Sequence, residues 1–179
     1  IQGLPQQALI ANVSFSADSK KIAFTHTNDV GVSLWVVDVE SKTAKQLTGY
    51  DLNAVLNNAY QWLRTSDGFL ISKSPKDRPA LIDHSKDIPT GPVVSTSQGK
   101  VSQLRTYQDL LKNPQDEQDF ESLATAELYW LDLAGKETKF LDKGMYTQAS
   151  ISPDGKYALV SQHIQQYVLP RHAFGLPHL

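Results

Sequence analysis

Polar and apolar residues alternate along residues 13–16 and again along residues 21–26, which predicts two half-buried strands on either side of a corner at Ala17-Asp18. Residues 32–39 are apolar at almost every position, the pattern of a strand covered on both faces. Lys45-Gln46-Leu47-Thr48 follows as an outer strand. A second set begins at Tyr60-Gln61-Trp62-Leu63, turns at Thr65-Ser66-Asp67-Gly68 and returns through Phe69-Leu70-Ile71-Ser72, with Asp67-Gly68 in the role of the turn dipeptide. Its third strand is delayed to Ala126-Glu127-Leu128-Tyr129-Trp130-Leu131. A third set opens near Tyr146, turns at Ser152-Pro153-Asp154-Gly155 and runs on through Ser161.

These sets are copies of one another. Ser14-Phe15-Ser16-Ala17-Asp18-Ser19-Lys20 repeats as Ser150-Ile151-Ser152-Pro153-Asp154-Gly155-Lys156. The chemistry is that of a type I turn: serine opens it, proline presets the first φ, and glycine takes the left-handed exit. Ser19 stands where the later copy has Gly155, so the first corner turns less favourably. Residues 34–48 likewise match residues 128–142 without a gap, giving two strands and a polar turn twice. In order, the pieces make a four-stranded antiparallel meander, the unit of a β-propeller blade. The expected fold is all-β, a partial propeller with a short helical insertion. Its first blade covers about residues 13–48. The second covers about 59–142 and is interrupted by an insertion at about 73–125, and an incomplete third starts at about 146. Two blades and a hairpin do not close a ring, so the sequence reads as a fragment whose open edges favour self-association.

The insertion carries its own pattern. Leu104, Tyr107 and Leu111 recur at helical spacing. Asn113 can cap a second helix with Pro114 at its first position, Asp116 and Glu117 complementing the dipole, and Phe120 and Leu123 on its apolar face.

Composition narrows the function classes. The 179 residues are 40% hydrophobic and 20% charged, with a formal net charge of -2. No basic patch offers a footprint for nucleic acid or an anionic membrane surface, so neither is an expected partner. There is no cysteine, which removes disulfides and thiolate chemistry. His26, His84, His163, His172 and His178 have no metal-ligand spacing, and neither a metal nor any other cofactor is expected.

Several stretches together resemble a known family: Ile88-Pro89-Thr90-Gly91-Pro92-Val93, then Val101-Ser102-Gln103-Leu104-Arg105-Thr106-Tyr107-Gln108-Asp109-Leu110-Leu111, then Ala124-Thr125-Ala126-Glu127-Leu128. With the Ser152-Pro153-Asp154-Gly155 corner and Gln166-Tyr167-Val168-Leu169-Pro170, they are similar to the propeller of prolyl oligopeptidase-family serine peptidases, in the glutamyl endopeptidase-like branch. The resemblance implies a propeller of roughly seven or eight blades capping a C-terminal α/β-hydrolase domain with a Ser-Asp-His triad. It implies peptides as substrates, reached through that domain. The chain has no Gly-x-Ser-x-Gly elbow, so no catalytic residue carries over. A non-enzymatic periplasmic-type propeller that binds or scaffolds is the alternative, and a free-standing small β protein a third.

Arg105 heads the candidate site residues, since on a helix interrupting a blade it can meet a substrate carboxylate or the hydrolase domain bidentately. Its alternative is an ion pair with Asp109 one helical turn on. Tyr107 and Gln108 are interface candidates, with core packing as the alternative for Tyr107. Asp116, Glu117, Asp119 and Glu121 can bind a peptide amine or a cation, or form a solvated helix face. Asp18, Asp67 and Asp154 read as turn residues, Asp38 and Asp132 as acceptors at strand ends, and Trp35, Trp62 and Trp130 as inter-blade core.

Overall fold

A computed structural model describes residues 1–82, Leu111 and residues 114–163. The chain divides into two units, residues 1–78 with 123–165, and residues 79–122 with 166–179. The first unit is built from β1 (Leu9–Phe15), β2 (Lys21–Thr27), β3 (Val32–Asp38), β4 (Thr43–Gln46), β5 (Tyr60–Trp62), β6 (Gly68–Lys73), β7 (Ala126–Asp132), β8 (Glu137–Ile151) and β9 (Ala158–His163). All neighbouring pairs are antiparallel, in the orders β1-β2-β3-β4 and β5-β6-β7-β8-β9. This is an all-β propeller architecture of meandering blades. Among the described residues of the second unit, α1 (Pro114–Ala124) is the regular element, though its last two residues belong to the first. No described helix is long and apolar enough to cross a membrane.

Apolar residues on both faces of a strand serve two different cores. Ala23, Leu34 and Val36 face Tyr60, Phe69, Ile71 and Leu131 in the cluster between the two sheets. Their sequence neighbours Phe24, Trp35 and Val37 turn to the opposite face with Ala44. Leu70 and Leu128 alternate away from Phe69 and Leu131 in the same manner, packing with Tyr146 and Ile151. Period-two alternation of apolar with apolar is how a middle strand belongs to two interfaces. Trp62 lies 4.1 Å from Phe69 and Trp130 lies 4.7 Å from Phe140, ring centre to ring centre, so both tryptophans pack within these interfaces.

The corners repeat atom for atom. The Ser16 hydroxyl donates to Asp18 at 2.6 Å and accepts from Lys21 N–H at 2.9 Å. In the later copy the Ser152 hydroxyl donates to Asp154 at 2.6 Å and accepts from Tyr157 N–H at 3.0 Å. These bonds hold both carboxylates below the usual aspartate range, the serine hydroxyl contributing most and the N–H of Lys20 or Lys156 next. Ser19 occupies φ 61° where Gly155 has 72°. Ser19→Gly removes a left-handed penalty that outweighs the freedom gained by the unfolded chain, and should stabilise by about 0.5 to 1 kcal/mol. A rise in the thermal unfolding midpoint checks it; a fall refutes it.

The second corner differs from its sequence reading. Its left-handed residue is Ser66, at φ 61°, and not Gly68. Gly68 is the first residue of β6, and a Cβ there would drive into the Leu131 carbonyl oxygen. The glycine of Asp67-Gly68 therefore serves close strand approach rather than the turn. The Ser66 hydroxyl reaches across to accept from Asp18 N–H at 3.1 Å, linking the first two corners. Asp38 and Asp132 accept from Ser41 and Lys136 N–H groups, both at 2.8 Å, and tie off the ends of β3 and β7.

Two strand limits also depart from the pattern. β1 starts at Leu9, ahead of Val13, because Leu9, Ile10 and Ala11 pair with Thr27, His26 and Thr25 before a bulge breaks the register. The bulge, with Asn12 at φ 51°, erases the alternation by which residues 9–12 would have been recognised. β8 runs unbroken for 15 residues through the point where the sequence sets a new blade. It pairs with β7 as far as Gly144 and with β9 from Met145 onward.

Candidate functional site

The candidate site is built where the connection between β4 and β5 meets β6 and β8. Asn53 N–H donates to the Ser72 carbonyl at 2.9 Å, and Ser72 N–H donates to the Ala59 carbonyl at 2.9 Å. Residues 54–58 are thereby closed into an arch standing on a single residue of β6. Side chains stiffen it. The Asn53 amide donates to the carbonyls of Leu123 and Thr125, at 2.9 and 3.0 Å, while its oxygen accepts from Val55 N–H at 3.0 Å. The Asn57 amide donates to the Tyr146 carbonyl on β8 at 2.9 Å.

Under the arch lies a cavity of about 540 Å³, bordered by β5, β6, β7 and residues 147–149 of β8. Among the described residues its lining holds no Asp, Glu, Lys, Arg or His. A second recess, of about 440 Å³, continues along β1 and β5 and shares Asn58, Tyr60 and Gln61 with the first. Two carbonyl oxygens of residues bordering the first cavity, Asn57 Oδ1 and Gln61 Oε1, are buried and have no hydrogen-bond partner among the described residues. Buried polar atoms are ordinarily paired, and these two are exceptions.

Tyr60 fixes the wall between the two recesses. Its hydroxyl bonds Ser14 at 2.8 Å, donates to the Ala23 carbonyl at 3.1 Å, and contacts the Asn12 carbonyl at the bulge of β1. Burial pushes this phenol above its usual range, so it remains a neutral donor.

A charged cluster stands on the residue of β6 next to Ser72, at the same end of the strand. Lys73 Nζ lies 2.8 Å from Asp51 and 2.7 Å from both oxygens of Glu137, and 5.5 Å from the centre of the Tyr129 ring. Burial works against its charge, yet the bonds to Asp51 and Glu137 outweigh that and raise its pKa. A lysine held this way is an anchor and not a nucleophilic amine. On the same ring, Lys139 Nζ lies 5.7 Å from the centre and 2.7 Å from Glu127, which it holds below the usual glutamate range.

Arg105, Tyr107, Gln108 and Asp109 lie outside the described residues. Glu117 sits in the first turn of α1 with Asp116, and Asp119 accepts from Ile82 N–H at 2.9 Å within the same unit. Among the described residues no three His, Cys, Asp or Glu side chains are grouped to hold a metal. His26 is 4% exposed, and its ring lies 6.3 Å from that of Trp35 and 5.9 Å from that of Tyr50, a packed core position. Sequence reasoning missed Asn57 and Gln61, because an amide in a loop or a short strand has no periodicity to betray it.

No family model matches the chain. A probable chloroplastic glutamyl endopeptidase of Oryza sativa subsp. japonica is 30% identical over 177 residues, which cover 93% of this chain and 19% of the relative. Its counterpart in Arabidopsis thaliana is 32% identical over 176 residues, covering 93% and 18%. Over nearly all its length the chain is similar to one stretch of these glutamyl endopeptidases. This glutamyl endopeptidase-like segment thus spans about a fifth of the length of the curated relatives it matches.

Solved structures similar to the segment include an acylaminoacyl peptidase of Pyrococcus horikoshii, with 15% identity, a TM-score of 0.47 and coverage of 79% of this chain and 19% of that one. The β-propeller domain of the trilobed protease of Pyrococcus furiosus gives 12% identity, a TM-score of 0.39 and coverage of 88% and 43%. TolB of Acinetobacter baumannii gives 16% identity, a TM-score of 0.36 and coverage of 88% and 38%.

Proposed function

We propose that the chain is a non-catalytic propeller segment of a serine peptidase, which limits the access of polypeptides to an α/β-hydrolase domain outside this chain. The identity to two glutamyl endopeptidases over 93% of the chain carries this reading. Stacked sheets that bury apolar faces on both sides supply a stiff wall, and a wall is what size selection requires. In this reading Arg105, Tyr107, Gln108, Asp109 and Glu117 form the part of the insertion that meets substrate or the hydrolase domain.

The test is hydrolysis by the full-length parent. Short peptides should be cleaved with a kcat/KM at least about ten-fold above the same sequence inside a folded protein, roughly 1.4 kcal/mol of discrimination. A serine-directed reagent should abolish both activities, and Arg105→Ala should narrow the gap between the two substrates. Absence of peptide hydrolysis by the full-length protein sinks the peptidase reading. Equal rates on both substrates sink the gating role alone.

A further inference from the structure

We infer that Asn53 is the positioning residue of the insertion: its side-chain amide ends α1 and opens β7, fixing where the chain returns to the blade from the residues proposed to limit access. The inference rests on the gating reading and deepens it.

The sequence gives α1 no stop of its own. Its last turn holds no basic residue, no residue from 124 to 126 has a positive φ, and Thr125 alone separates the helix from β7. Helices commonly end on a left-handed glycine or asparagine, or on a cation that meets their last carbonyls. Those carbonyls have no partner inside the helix and need one from elsewhere. Asn53, 70 positions before Leu123, supplies it. Its amide donates to the Leu123 carbonyl at 2.9 Å and to the Thr125 carbonyl at 3.0 Å, so the last turn of the helix and the residue before the strand are held on a single nitrogen.

Asn53 is itself firmly held. It is 5% exposed, its N–H donates to the Ser72 carbonyl at 2.9 Å, and its side-chain oxygen accepts from Val55 N–H at 3.0 Å. Turned over, the amide would set its oxygen against two carbonyl oxygens and its NH2 against the Val55 N–H, so the donors have one workable direction.

The clamp stands at a boundary. Residues 79–122 belong to the second unit, and Leu123 is the first residue after them. Inside that unit the Ser122 hydroxyl donates to the Pro79 carbonyl at 3.1 Å, which clasps the two ends of the stretch to each other. Where the chain leaves the blade, the hold is Asp77 with Lys143, whose side chains are 71% and 47% exposed. An ion pair so exposed contributes little, and the return at Asn53 is the firmer of the two.

The experiment uses the full-length protein and reads two quantities: the ratio of kcat/KM for a short peptide to that for the same sequence inside a folded protein, and amide hydrogen exchange over residues 118–128. Asn53→Asp keeps the acceptor for Val55 N–H and replaces both donors by an oxygen. Asn53→Ser removes the donors without adding a charge, and its hydroxyl can still accept from Val55 N–H. Tyr60→Phe is the control, since the bonds it deletes run to Ser14 on β1 and Ala23 on β2.

Both Asn53 variants should lower the ratio about five-fold by admitting the folded substrate, the factor one neutral hydrogen bond supplies. Hydrolysis of the short peptide should be unchanged, and exchange over residues 123–128 should be faster. Tyr60→Phe should alter neither reading. A merely structural asparagine would speed exchange and leave the ratio alone, which overturns the proposal, as does unchanged exchange in both variants. Failure of both variants to fold while Tyr60→Phe folds overturns it too, because Asn53 would then hold the fold and not the gate. An unaltered parent that cleaves both substrates equally sinks the gating reading before any variant is made. Exchange then decides the clamp alone: faster exchange in both variants keeps Asn53 as the stop of α1, and unchanged exchange removes it.

Discussion

Phe69→Ala should destabilise the first unit by about 4 kcal/mol, the cost of deleting a fully buried aromatic from a core that cannot collapse around the void. Phe69 is 0% exposed and stands at the centre of the cluster between the two sheets, with the Tyr60 ring edge-on at 5.8 Å and the Trp62 ring at 4.1 Å. Its loss removes partners from both rings. Tyr60 would then hold the β1 bulge with a loosened ring, so the damage should spread from β6 to β1. Urea unfolding followed by tryptophan fluorescence measures the loss, and Trp62 should change its emission in the native baseline as well. A midpoint shift of less than a quarter of the expected size would show that the two sheets do not depend on this contact.

Lys73→Met should cost about 2 kcal/mol. Breaking a buried ion pair commonly costs more than this, because a charge is left alone. Here Asp51 is 38% exposed and Glu137 28% exposed on their side chains, so water recovers part of the loss. What remains is the repulsion of two carboxylates that now face each other and the lost cation over Tyr129. Adding Glu137→Gln should return part of the stability, since it removes one of the two opposed charges. If the double variant is no more stable than Lys73→Met alone, the cluster is not coupled as the distances indicate.

The sequence made the corners and the middle strands legible for a physical reason. A Ser-x-Asp turn is encoded within six residues, so residues 150–156 and 14–20 disclose each other and their hydrogen bonds coincide. Residues 34–37 disclose burial on both faces by being apolar at four successive positions. Asp67-Gly68 misled because a dipeptide does not say which of its residues turns; the decision is made by Leu131, on a strand 63 positions later in the chain than Gly68.

The arch was illegible for a related reason. Asn57 meets Tyr146 across 89 positions and Asn53 meets Thr125 across 72, and nothing local to either asparagine records such a partner. Lys73, Asp51 and Glu137 were equally silent, being ordinary surface-type residues until three elements bring them to one point.

β8 has a mechanical consequence. One backbone, with its hydrogen bonds handed from β7 to β9 between Gly144 and Met145, runs through both hairpins. A flexible joint between repeats would let one swing against the next; a continuous strand acts as a splint and transmits tension directly. Opening the sheet between β7 and β9 therefore requires breaking ladder bonds rather than bending a linker. The two hairpins gain and lose their order together, and a protease finds no loose connection to cut at that junction.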